Sequence, residues 1–173
     1  MKRFLTVFML ICVSIFLVLP LVGAEYKGDI IDRIKLSQND LPSGFTFGSV
    51  PPNAKKVIKD NPWKMDKEAI KRLASHIYPG GDPLKIANIH ITIMTHPTTP
   101  YGDDMVCYII VYNDNSSAKG EMKKLVEFAG FNSDRVIVLS RENMAIYLHV
   151  DDTKNFPLLK DIALKLEGRI EAK

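Results

Sequence analysis

The chain has 173 residues, 46% of them hydrophobic and 25% charged, with 23 Lys and Arg against 20 Asp and Glu. Two of the bases, Lys2 and Arg3, stand ahead of every acid, so residues 25–173 carry 21 bases against the same 20 acids. That near balance leaves no basic footprint for nucleic acid or an anionic membrane surface, and charge names no partner.

The opening is a short cationic stretch followed by Phe4 to Val22, 19 residues without a charge. A cationic n-region, an apolar h-region, Pro20 and the small residues of Val22-Gly23-Ala24 form a secretory signal peptide over residues 1–24, with cleavage expected before Glu25. An uncleaved anchor is the competing expectation, because the apolar run exceeds the usual ~7–15 residues and approaches the ~20 that span a bilayer. Cys12 lies deep inside this run, away from the cleavage point, which argues against a lipid-modified mature terminus.

Residues 25–173 are the size of one domain and long enough to bury a core. With Cys12 removed, Cys107 stands alone, so no intramolecular disulfide is expected and packing must supply the stability. Cys107 lies within Met105–Val111, where a thiol normally packs as a small hydrophobe.

In chain order, Asp29–Leu36 predicts a short helix. Leu41-Pro42-Ser43-Gly44 fits a type I turn with Pro at its second position and Gly at its fourth. Phe45–Phe47 predicts an edge strand ending before Pro51-Pro52. Helices are expected over Ala54–Lys59 and Asp66–Ile77; in the second, Ile70, Leu73, Ala74 and Ile77 make one apolar stripe, Asp66 caps its start and Pro79-Gly80-Gly81 ends it.

The second half is more regular. Ile89, Ile91 and Ile93 alternate with His90, Thr92 and Met94, a strand with one buried face. The apolar run 105–112 predicts a strand covered on both faces. A helix from Asn113–Ser116 to about Phe128 follows, with Met122, Leu125, Val126 and Ala129 on one side and Gly130 as terminator. Arg135–Ser140 and Met144–Val150 predict a hairpin, Asn143 supplying the positive φ. The last helix, about Phe156–Ile170, buries Leu159, Ile162, Ala163 and Leu166, which repeat the previous apolar set at an offset of 37. The expected fold is therefore α+β: an antiparallel sheet of four to five strands, two C-terminal-half helices packed on one face in a ββαββα core, and extra N-terminal helices.

Chemistry-bearing residues are sparse. His90 and His96 share a strand face but stand ~20 Å apart, too far for one metal ion. A hairpin placing Met105 opposite His96 and Cys107 opposite Met94 would gather His96, Met94, Met105 and Cys107, a donor set suited to Cu(I). That register is an assumption, and ordinary core packing explains the same residues. Tyr147 and His149, with Tyr108 or Tyr112, are candidates for a ligand-binding sheet face, unless the 53–78 segment or a dimer partner covers them. Asp103-Asp104 and Asp151-Asp152 point their neighbours to opposite faces and make no acid/base dyad, and the second pair suits helix capping. Asn115-Ser116-Ser117 is a glycosylation sequon, relevant only in a eukaryotic host.

The chain contains no G-x-S-x-G, H-E-x-x-H, C-x-x-C, G-x-x-x-x-G-K or G-x-G-x-x-G. No catalytic or metal residue is assigned, no cofactor is expected, and no cofactor-binding residue is named. The expectation is a non-catalytic binding or accessory module in the periplasm or extracellular space, with an unknown protein or small ligand as partner. A small exported enzyme and a soft-metal protein are the alternatives.

Overall fold

The computed structural model of the chain describes residues 29–50, 52, 54–98 and 104–172. The expected signal peptide with its expected cleavage point, and Asp103, lie outside them. The elements are α1 (Ile30–Ile34), β1 (Thr46–Phe47), β2 (Trp63–Lys64), α2 (Lys67–Ile77), β3 (Ile86–Thr95), β4 (Met105–Tyr112), α3 (Asn115–Gly130), β5 (Val136–Arg141), β6 (Met144–Val150) and α4 (Phe156–Glu171). All strand pairs are antiparallel, in the order β1-β3-β4-β6-β5, with β2 also pairing β3. The α+β class and antiparallel sheet are as expected, with one more strand than anticipated.

The two late helices do not share a face. Ile89, Ile91, Ile93, Ile110, Ala145 and Tyr147 pack with α2 and with Ala118 and Leu125 of α3. The opposite face, Met94, Met105, Cys107, Ile109, Ile146 and Leu148, packs beneath α1 and the Leu159, Ile162, Ala163 and Leu166 stripe of α4. The cause lies in β4 and β6, whose successive residues are apolar and nearly all buried. A sheet greasy on both sides needs a layer on each, so one helix goes to either side. The 37-residue repeat in sequence thus does not carry over to helix placement, and α3 is also rotated from its expected stripe. Val126 is exposed, while Glu121 takes the inward position between Ala118 and Leu125.

Local differences have equally plain causes. Residues 54–58 form only a turn, closed by Val57 and Ile58 amides donating to the Ala54 carbonyl. The turn before β1 runs Pro42–Phe45, its Phe45 amide donating to Pro42 O, and Gly44 at φ 88° holds the third position, so it is a type II turn one residue later than expected. At the β5–β6 hairpin the positive φ falls on Glu142, at 52°, not on Asn143. Gly130 ends α3 without a left-handed cap; Phe131 is its C-cap.

Side chains complete the sheet's open edge. Between β1 and β2, Asn61 stands in for a strand residue: its Oδ1 accepts from the Ile93 amide and its Nδ2 donates to Ile93 O, each at 2.7 Å. Across the other layer, Arg169 of α4 pairs with the Asp40 carboxylate and donates to the Ile34 and Lys35 carbonyls at 3.2 and 3.0 Å, tying α4 to the end of α1. Burial pushes the Asp40 carboxyl upward, but bonds from Ser37 and the Arg169 guanidinium outweigh it and hold it below the usual range. Arg169→Ala is expected to cost about 2 kcal/mol, since Asp40 is left nearly buried without its cation. Urea unfolding checks this as a lower midpoint at unchanged slope.

Candidate functional site

A cleft of about 770 Å³ lies between the N-terminal half of α2, the loop Asp82–Leu84 and the start of β3. Its volume falls within the ~300–1,000 Å³ of small-molecule sites. Asp66 caps α2, its carboxylate accepting from the Ala69 amide at 2.9 Å, and the buried stripe of Ile70, Ala74 and Ile77 sets the rotation of the helix. That rotation turns Ile70 inward to the floor, where Ile86 joins it, both nearly buried. It also places Lys67 and Lys71 together on the wall, four residues apart on one face.

The opposite wall is a short 3₁₀ turn, Pro83–Lys85. Asp82 Oδ1 accepts from the Leu84 amide at 3.0 Å, and Asn113 Nδ2 donates to Leu84 O at 2.7 Å. Both backbone polar atoms of Leu84 are therefore held by side chains, while its own side chain is 85% exposed at the cleft. The arrangement displays an apolar group in water on a pinned backbone. Asp82 and Asn113, the remaining polar lining groups, are occupied in building this wall.

A polar network anchors the loop from behind. Glu121 of α3, fully buried, accepts from the Tyr78 hydroxyl at 2.9 Å, the Asp82 amide at 3.0 Å and Lys124 Nζ at 2.7 Å. Burial alone would raise its carboxyl, yet the bonds from Lys124, Asp82 and Tyr78 prevail and keep it below the ordinary range. Glu121 is thus an anion held for structure, with its oxygens committed to donors.

The residues anticipated from sequence lie elsewhere. Tyr108, Tyr147 and His149 do come together, in a shallow groove of about 210 Å³ with Phe128, His76 and Ile77. The Tyr108 and Tyr147 rings stand 6.0 Å apart and Phe128 stacks on Tyr147 at 6.4 Å. Tyr147 is nearly buried beneath this cover from α2 and α3, and burial moves the Tyr108 hydroxyl up to about 12. His149 lies 3.6 Å from Asp151, and burial lowers its imidazole despite that carboxylate. Tyr112 takes no part in the groove; it joins Tyr78 and Glu121 instead.

The soft-donor register is corrected by two residues: Met105 faces Met94 and Cys107 faces Thr92. Met94, Met105 and Cys107 are solvent-free in the core under α1 and α4, where burial moves the thiol up to about 12. His96 packs on Phe45 at 5.4 Å, with its Nδ1 at 2.7 Å from the Thr98 hydroxyl. Among the described residues no group of three or more His, Cys, Asp or Glu is placed to hold a metal ion. Asp152 does cap a turn, accepting from the Lys154 amide at 2.9 Å.

The cleft residues Lys67, Lys71 and Leu84 were not singled out by sequence. Their signal is faint: two lysines flanking an inward isoleucine, and an Asp-Pro-Leu segment beside a helix stop. Compared with family models, curated proteins and solved structures, the chain matches none.

Proposed function

We propose that this protein is an exported, non-catalytic binding domain whose ligand occupies the cleft between α2 and the Asp82–Leu84 loop. One observation carries the choice of site: a cleft of ligand size, apolar at its floor, with Leu84 held out into it by hydrogen bonds to both its backbone polar atoms. A preformed apolar concavity with few, fixed polar groups is the general form of small-molecule sites, because it buries the ligand while losing little conformational entropy. The uncharged stretch at the N-terminus supports export. Among the described residues no helix is long and apolar enough to cross a membrane.

Binding is tested with Nile red, a neutral apolar fluorophore. Its emission is expected to rise on titration with the protein, and Leu84→Ser is expected to weaken the affinity about fivefold, the share of burial that one leucine supplies. Leu84 is exposed, so this substitution leaves the fold intact. Equal affinity for both proteins contradicts the site. Export is tested by mass spectrometry of the protein from its native host: a mature chain beginning at Glu25 is expected, and a peptide still containing Phe4 rules out cleavage.

A further inference from the structure

The cleft carries more information than its shape. Its two cationic side chains, Lys67 and Lys71, have no ion pair among the described residues, whereas the acids flanking Lys67 and the acid of the facing loop are engaged. Asp66 pairs with Lys59, Glu68 with Arg72 at 3.0 Å, and Asp82 accepts from the Leu84 amide. Like charges four residues apart on a helix repel, and an anion lying between them removes that repulsion. The rest of the lining is mostly apolar, Ile70, Pro83, Ile86, Ala87 and the displayed Leu84, and its two polar members, Asp82 and Asn113, are bonded to the Leu84 backbone.

We propose, resting on the cleft as the ligand site, that its ligand is a single-chain amphiphile with an anionic head, the head between Lys67 and Lys71 and the chain along Ile70, Ile86 and Leu84. The charge and the apolar surface fall on different parts of one concavity, which a compact polar anion would leave half unused. A neutral hydrocarbon would leave the lysines uncompensated. A cationic amphiphile would meet like charge at the rim.

Three ten-carbon probes that differ only in the head separate these terms: decanoate, decanol and decyltrimethylammonium, each titrated as monomers by calorimetry. Decanoate is expected to bind roughly fivefold or more tighter than decanol, and the cation weakest of the three. Shortening decanoate is expected to weaken binding about two- to fourfold per methylene. The double variant Lys67→Gln, Lys71→Gln, both at exposed positions, is expected to bring decanoate to the affinity of decanol without changing decanol itself. Leu84→Ser is expected to weaken both. Equal binding of decanoate and decanol overturns the anionic head while leaving the cleft as the ligand site. Binding of none of the three overturns the site itself. Capture on anionic phospholipid vesicles without binding of monomeric decanoate overturns the proposal in favour of a membrane surface.

Discussion

Glu121→Leu is expected to lower the melting temperature by roughly 10 °C, the largest effect of any single substitution argued for this chain. Leucine fits the apolar surroundings set by Ala118 and Leu125, so the loss comes from donors and not from volume. Tyr78 is fully buried and its hydroxyl would lose its short bond to Glu121, keeping only the 3.5 Å contact with the Tyr112 hydroxyl, and the Asp82 amide would lose its acceptor. A buried donor left unsatisfied costs ~1–3 kcal/mol, so the two together cost about 3–4 kcal/mol. Lys124 contributes less, since its side chain is 39% exposed and returns to water. In a domain of this size each kcal/mol moves the midpoint by ~2–4 °C. The same change loosens the loop that carries Leu84, so Nile red affinity should fall together with stability. A variant that melts within two or three degrees of the parent, about 1 kcal/mol, would show that Glu121 is not what holds the loop.

Acid destabilisation should begin well above the carboxylate range, and His90 is its expected source. This imidazole is 5% exposed on the face under α1, and its Nδ1 has no hydrogen-bond partner. Burial, then the Lys35 ammonium, lower it from 6.5 to about 4; Asp32 opposes them, and Lys64 across the β2–β3 pair adds to the lowering. The unfolded chain takes up a proton as pH falls through about 6.5, whereas the folded chain takes it up only near 4. Stability is therefore complete above about pH 6.5 and declines between there and pH 4, by about 3 kcal/mol in all. His149, also lowered by burial, acts in the same direction. Asp40 and Glu121, whose carboxyls are lowered, add their losses only as pH falls below their ordinary unfolded values near 4. Urea midpoints between pH 7 and 4.5 thus isolate the histidines. His90→Leu should flatten most of that slope, and an unchanged slope would assign the acid sensitivity elsewhere.

Periodicity made the strands legible. Alternating Ile89, Ile91 and Ile93 and the apolar runs at 105–112 and 144–150 became β3, β4 and β6 where expected, because burial against a layer is what those patterns encode. The side on which each helix packs was not legible. Val126 and Leu125 look alike in sequence, and only contact with the sheet shows that Leu125 is buried and Val126 is not. Glu121 was hidden for a related reason: a charged residue in an apolar register reads as surface until Tyr78, Asp82 and Lys124 are seen around it. The cleft was illegible because it joins residues 67–71 to 82–87 and 113, segments brought together by the close of α2 and the entry to β3. Tyr108, Tyr147 and His149 were found by strand parity and do meet, but α2 and α3 cover much of what they would have offered.

Two-dimensional amide NMR during titration with decanol tests the cleft most directly, since a neutral probe reports the apolar site without help from charge. Progressive shifts should concentrate at residues 67–71, 82–87 and 113 and saturate with one affinity. Shifts confined to the Tyr108–Tyr147 groove, or spread thinly over both faces of the sheet, would place binding elsewhere and contradict the assignment.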